Sequence, residues 1–254
     1  MKIAVCLKPV PATDTRVKIE GGGKRLDPAG VSMVINPNDE YALEEALKLK
    51  EAAGAGEVVL LTVGGAGFMP TIRNGLAMGA DSAVLLTAEG ELDTLQVARA
   101  LAAEIQGKGY DLVLCGKQAA DDDASQVAPM LAELLALPCA TVVTKLTLDG
   151  PVAAGTKAQA HREIEGGIEE LEFALPAIVA AQKGLNEPRY PSLKGIMAAK
   201  KKTLEERPAQ VGEPALEVLG LTLPAARSAG RIVGEGVAAV PELVRLLHEE
   251  AKVI

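Results

Sequence analysis

The run Gly116-Lys117-Gln118-Ala119-Ala120-Asp121-Asp122-Asp123-Ala124-Ser125-Gln126-Val127 gathers residue types that can hold a phosphorylated ligand. Gly116 lets backbone approach a ligand closely, and free N–H groups at the start of a following helix can receive phosphate. Three adjacent carboxylates would repel that phosphate, so Asp121, Asp122 and Asp123 should cap the helix, meet ribose hydroxyls or turn to solvent. The pattern is neither G-x-x-x-x-G-K-[ST] nor G-x-G-x-x-G, and an acidic capping loop without a ligand stands as the other reading.

A second run, residues 185–202, reads as a contact device rather than a chemical one. Pro188 and Pro191 exclude regular helix and central strand, so Tyr190 and Leu193 are expected on an irregular surface segment. Ile196 and Met197 follow, and Lys200, Lys201 and Lys202 end the run. An apolar residue on a stiffened loop beside a basic run suits contact with another protein. The alternative is a crossover loop whose leucine folds back on the core. The lysine cluster reads as a solvated helix end that could also steer an acidic partner.

Bond-making chemistry finds little support. His161 and His248 have no Cys or His at metal-ligand spacing, and no serine sits in a G-x-S-x-G elbow. Gly64-Gly65-Ala66-Gly67 reads as a tight turn. Cys6, Cys115 and Cys139 are odd in number, lack C-x-x-C spacing and lie in or beside apolar runs, so buried reduced thiols in a reducing, cytoplasmic compartment are expected.

Bulk properties narrow the partners. The net charge of −8 over 254 residues argues against general nucleic-acid binding, because phosphate counterions would not be released. There is no apolar stretch of about 18 residues, so no membrane-embedded segment is expected. The first seven residues read as a strand rather than a signal peptide. Hydrophobic residues make up 48% but aromatics only 2%, so the core must be built from Ala, Val, Leu and Ile, as in layered α/β proteins.

The elements that would position these runs alternate up to about residue 138. Strand patterns at 3–8, 57–63, 82–87 and 111–115 are separated by helical stretches at about 70–78, 93–106 and 123–137. A further helix opens at Asn36-Pro37-Asn38-Asp39-Glu40, with Asn36 as N-cap, Pro37 in the first turn and two acids on the helix dipole; Gly54 closes it. Such alternation implies a parallel sheet with helices on both faces and ligands at the strands' carboxyl ends. Residues 141–148, 152–162 and 168–174 then alternate without helices, with Asp149-Gly150 and Gly166-Gly167 as hairpin-type turns, which adds an antiparallel extension. Residues 176–182 return as a buried strand. Beyond the 185–202 loop no core pattern is expected until a terminal helix at about 240–252. That tail should either wrap another subunit or form a flexible linker with its helix docked on its own domain.

Several of these segments resemble the electron transfer flavoprotein beta subunit over nearly the whole chain. The G-K-Q-A-x-D-D-D run is similar to that family's adenosine monophosphate (AMP) loop, and residues 185–202 to its partner recognition loop, with Leu193 at the anchor position. Asn36-Pro37, Thr71-Ile72-Arg73, Ala77-Met78-Gly79-Ala80-Asp81 and Arg162-Glu163-Ile164-Glu165-Gly166-Gly167 also resemble the family. The resemblance implies a Rossmann-like fold of the adenine-nucleotide alpha-hydrolase type. Residues 1–184 would form the nucleotide-binding domain, 185–202 the recognition loop, and 203–254 a C-terminal arm on an alpha subunit. It implies that AMP is lined by Cys6, Asn36, Pro37, Asn38, Asp39, Val63 and residues 116–127, with Cys6 and Val63 contributing backbone. Arg189, Tyr190, Leu193, Ile196 and Met197 would dock partners, and Glu163 would face the flavin domain; a solvated hairpin charge is the other reading of Glu163. The alpha subunit would hold most of the FAD. Acyl-CoA dehydrogenases would donate electrons and a membrane quinone oxidoreductase would accept them. The chain departs from better-known members near the flavin, where Asn38, Thr13 or Thr15 replace aromatic residues.

Two alternatives accompany this expectation. One is an electron-bifurcating member with a second FAD in place of AMP, although its acidic run tends to contain a glycine that Asp121-Asp122-Asp123 lacks. The other is a stand-alone adenine-nucleotide sensor of the stress type, which leaves the 185–202 loop and the tail unexplained. An ATP-cleaving ligase would need an S-G-G-x-D-S loop where Lys8-Pro9-Val10-Pro11 stands.

Overall fold

The computed structural model describes residues 1–226 and 229–254. Alternating apolar runs become parallel strands, and amphipathic stretches become the helices between them. In chain order the first half comprises β1 (Lys2–Cys6), β2 (Pro9–Pro11), β3 (Met33–Ile35), α1 (Pro37–Ala53), β4 (Glu57–Gly64), α2 (Met69–Met78), β5 (Ser82–Thr87), α3 (Thr94–Ile105), β6 (Leu112–Gly116) and α4 (Val127–Leu135). The second half adds β7 (Cys139–Asp149), β8 (Lys157–Ile164), β9 (Gly167–Ala174), β10 (Ala177–Ala181), α5 (Leu193–Ala199), β11 (Leu204–Pro208) and α6 (Val240–Glu249).

Nine strands form one sheet in the order β11-β5-β4-β1-β6-β10-β7-β8-β9. From β11 through β7 the pairings are parallel; β7, β8 and β9 pair antiparallel, as the helix-free alternation implied. β1 is central: Val5 stands opposite Leu60 of β4 and Leu114 of β6. The chain leaves β1 towards β4 and β5 on one side, then returns to place β6 on the other. Strand order therefore reverses at β1/β6, where an open α/β sheet leaves a crevice for ligands.

Helices cover both faces. One core layer joins Leu43 and Ala46 of α1, Ile72 and Leu76 of α2 and one side of the strands. The other joins Leu101 of α3, Leu131 of α4 and the opposite side. β10 is buried along its full length, which explains its unbroken apolar sequence Ala-Ile-Val-Ala-Ala. Among the described residues no helix is long and apolar enough to cross a membrane.

The structure corrects four local expectations. α4 begins at Val127 rather than Asp123, because Asp123 and Ser125 take left-handed φ of 49° and 55° and interrupt the helix. The strand expected from residue 152 begins at Lys157, since Pro151 and Gly155 (φ 86°) hold the preceding residues in a turn. Leu193 is helical, not irregular: Pro191 stops short of α5, and Ser192 caps it by accepting the Gly195 N–H at 3.0 Å. Beyond residue 202 the chain does return to the core, as β11 pairs with the free edge of β5 from Leu204↔Ala83 to Pro208↔Thr87. Its charged Glu205, Glu206 and Arg207 and its terminal proline suit an edge strand. The short sheet of β2 and β3 was not anticipated.

The chain divides into two units. One comprises Met1–Lys18 and Leu26–Leu219. The other comprises Ile19–Arg25 and Gly220–Ile254, in which Leu221 donates its N–H to Gly23 O and α6 buries no residue.

Candidate functional site

The carboxyl ends of β4, β1 and β6 open into a cavity with about 760 Å³ of empty space, part of it open to solvent. Cys6, Val63, Asn36, Asp39, Gly116, Lys117, Gln118, Ala119, Asp122, Ala124, Ser125, Gln126 and Val127 all line it. Pro37, Asn38, Ala120, Asp121 and Asp123 are not among the lining residues.

Those other residues build the wall. Asn38 donates from Nδ2 to Gln118 O at 3.1 Å, and Ala120 N–H donates to Asn36 Oδ1 at 3.1 Å. Asn36 Nδ2 also reaches Gln118 O and Asp39 Oδ1, both at 2.9 Å. Asp39 is the junction. It accepts N–H groups from Lys8 at 2.7 Å and Gly116 at 3.0 Å, tying α1 to the ends of β1 and β6. Burial pushes its carboxyl up to about 7, although these three donors pull the other way.

Gly116 is required here by space. A Cβ at this position would collide with Asp39 Oδ1 and lie 2.7 Å from Asn38 Cβ and 2.8 Å from the Asn38 carbonyl carbon. The start of α1 therefore packs directly on the loop's backbone.

The acidic run finds a partner from an unexpected direction. Lys8 Nζ, just beyond β1, donates to Asp121 Oδ1 at 2.8 Å and Asp122 Oδ2 at 2.9 Å. Partial burial lowers the Lys8 ammonium, but the two aspartates outweigh it and raise it above its ordinary value. Asp123 Oδ1 instead accepts Gln118 Nε2 at 2.7 Å. With the carboxylates held this way, the two left-handed residues cost on the order of 1–2 kcal/mol each and are paid by the loop's own contacts. The first-turn N–H groups of α4, at Val127 and Ala128, have no partner within the helical ladder, and both residues line the cavity.

Leu7, Lys8, Leu61, Phe68, Thr94, Val97, Leu101, Cys115 and Ala128 also line the cavity without having been anticipated. Lys8 and Thr94 had a signal: one follows a strand's carboxyl end, the other opens a helix behind the Asp93–Gln96 capping box. Thr94 Oγ1 holds the loop through Gln126 Oε1 at 2.7 Å. Phe68 had none. The Cys115 thiol is pushed well up by its neighbour Cys6 and by burial, so it stays protonated and unreactive.

A second cluster lies at α5. Tyr190 and Leu193 are 94% and 84% exposed, and Ile196 and Met197 are exposed beside them. Arg189 is turned the other way. Its guanidinium grips Glu44 of α1 at 2.8 and 2.9 Å and Glu51 at 2.5 and 3.1 Å, and Asn186 Nδ2 reaches Glu45 Oε2 at 2.9 Å. Glu163, exposed on β8 opposite Ile168, accepts Gln182 Nε2 at 2.6 Å.

A sequence model described as the electron transfer flavoprotein domain matches residues 25–211. The chain is similar to the electron transfer flavoprotein subunit beta of Bacillus subtilis and of Bradyrhizobium diazoefficiens, at 43% identity over 100% of both chains in each case. It is 36% identical to the mitochondrial electron transfer flavoprotein subunit beta of Arabidopsis thaliana, again over 100% of both. With a domain match across most of the chain and this identity along its full length, the chain belongs to the electron transfer flavoprotein beta-subunit family.

Proposed function

We propose that this chain is the AMP-binding, partner-docking beta subunit of a heterodimeric electron transfer flavoprotein. The observation that carries the reading is the loop of residues 116–127 at the β1/β6 switch point. Lys8 pairs with two of its aspartates, and Val127 and Ala128, which open α4, line the cavity. The remaining lining fits a mononucleotide. Leu61, Val63, Phe68, Val97 and Leu101 offer an apolar wall for a base, and Lys8, Gln118, Ser125 and Gln126 a polar rim for ribose and phosphate.

AMP would be structural, consistent with a cavity that lacks an activated nucleophile. FAD, held mainly by the alpha subunit, supplies the redox chemistry when bound; this chain covers it, with Glu163 on the facing hairpin. Tyr190, Leu193, Ile196 and Met197 form the docking face for acyl-CoA dehydrogenases and similar donors, and Arg189 fixes the base of that loop on α1. A membrane quinone oxidoreductase would accept the electrons. The unburied α6 and the unit of residues 220–254 would cover the alpha subunit, and the heterodimer would work in the cytoplasm as an electron carrier.

The test is to co-express the chain with its alpha subunit, denature the purified complex and count what it releases. One AMP and one FAD per heterodimer are expected. Two FAD without AMP would overturn the AMP assignment in favour of a bifurcating member.

A further inference from the structure

α5 spans only Leu193–Ala199, far shorter than a helix that persists by itself in water. It nevertheless presents Leu193, Ile196 and Met197, spaced i, i+3 and i+4, on one exposed face. Its other face carries Gly195 and Ala199. A Cβ at Gly195 would collide with Ala77 O of α2, and Ala199 is buried, so this face lies directly on α2.

Two cations lock the contact, one from each side. Arg73 of α2 donates from Nη1 to Ala199 O at 2.7 Å and Lys202 O at 2.6 Å, the carbonyls where α5 ends. Lys202, just beyond α5, donates from Nζ to Leu76 O at 2.9 Å and Ala80 O at 2.5 Å, the carbonyls where α2 ends. Arg73 thus meets the last carbonyl of α5 and one just beyond it, Lys202 meets one in the last turn of α2 and one just beyond it, and the dipole of each helix favours the cation it receives.

We propose that Arg73 and Lys202 are positioning residues for partner docking: their reciprocal cap sets the direction in which α5 presents Leu193 to a dehydrogenase. The inference rests on the docking reading above and goes beyond it. Neither cation belongs to the exposed apolar face, so each acts through the orientation of α5 and not through contact with the partner. A face held in its bound orientation loses less ordering entropy on association.

The experiment uses the heterodimer with AMP and FAD bound, reduced by an acyl-CoA dehydrogenase and its substrate and followed by flavin absorbance. Arg73→Ala should raise the heterodimer concentration for half-maximal rate about five- to twentyfold, with the maximal rate and nucleotide content unchanged. Arg73→Lys, which keeps a donor, should recover most of the loss. Leu193→Ala should raise the same concentration about ten- to a hundredfold. Combined with Leu193→Ala, Arg73→Ala should add little, because there is no anchor left to orient. Lys202→Met keeps the stem without the donors and supplies the same reading if Arg73→Ala fails to assemble. An unchanged half-saturation in Arg73→Ala and Lys202→Met, or an effect that multiplies in full on Leu193→Ala, overturns the proposal. An unaffected Leu193→Ala overturns the docking reading itself, and the proposal with it.

Discussion

At the cavity, polar side chains turn inward and are consumed by the wall: Asp39 by three donors, Asn36 by three partners, Asp121 and Asp122 by Lys8. At α5 they turn backward: Arg189 onto Glu44 and Glu51, Arg73 and Lys202 onto helix ends, leaving an apolar face outward. Both regions use polar contacts between distant residues to fix geometry. The cavity gathers polar groups and an apolar wall around a cleft, whereas the helix holds carbon outward on a rigid mount. The difference separates what disrupts each. Space and pH should act on the cavity, and loss of a cap or anchor should act on α5.

The largest effect on AMP content should come from Gly116→Val. Its Cβ meets the Asn38 backbone and the fixed Asp39 carboxylate, neither of which is a flexible side-chain end. Overpacking of this kind costs about 1–3 kcal/mol and should lower Tm by roughly 5 °C. AMP recovered from the assembled heterodimer should fall sharply while docking affinity persists. Equal loss of both would mean that the two regions are not separable.

Legibility follows the same division. The cavity's main loop is contiguous and follows an apolar strand, so Gly116 and its neighbours could be read directly from the sequence. The alternation of strands and helices likewise announces a parallel sheet, and its loss after residue 138 announces the antiparallel extension. What escaped depends on distant partners. The start of α4 shifts to Val127 because Asp123 and Ser125 turn left-handed, in a loop whose Asp121 and Asp122 are held by Lys8, 113 and 114 positions away. α5 forms between a proline-stiffened entry and caps from Arg73, 126 and 129 positions from the carbonyls it meets. β11 has little apolar alternation in Leu-Glu-Glu-Arg-Pro and exists because β5 leaves an edge open. Local periodicity does not encode such contacts. Arg189 shows the same limit, since a basic residue on a surface loop reads as partner-facing until Glu44 and Glu51 are seen beneath it.

A pH-dependent effect on stability should come from Asp39→Asn. Burial raises the carboxyl to about 7 in the folded chain, above the ordinary value of 3.8 that it recovers on unfolding. The folded state therefore binds the extra proton between these values. The associated stability is fully present below about pH 4 and lost as pH rises towards 7, at no more than about 1.4 kcal/mol per unit. Tm of the wild type relative to Asp39→Asn should accordingly fall between pH 4 and 7 and level off above it. A flat difference would mean that the N–H groups of Lys8 and Gly116 outweigh burial and keep Asp39 ionised. At α5 itself, tied by Arg73 and Lys202 to main-chain carbonyls, docking should change little over the same range.

The smallest effect should come from Ser192→Ala, and it sharpens the comparison most finely. Ser192 Oγ accepts the Gly195 N–H and satisfies one orphan donor at the end of α5 where Leu193 sits. Removing an N-cap costs about 1 kcal/mol. The first turn should fray locally, while Arg73 and Lys202 keep the other end on α2, so Ile196 and Met197 stay in place. Half-saturation by the dehydrogenase should rise about fivefold, less than for Leu193→Ala, because the anchor remains and only its orientation is loosened. Ser192→Asp, another good cap, should behave like wild type, and AMP content and Tm should hardly move in either variant. A loss as large as that of Leu193→Ala would place the whole orientation of α5 in its N-cap. An unchanged half-saturation would show that Pro191 and the two cations hold the turn without it.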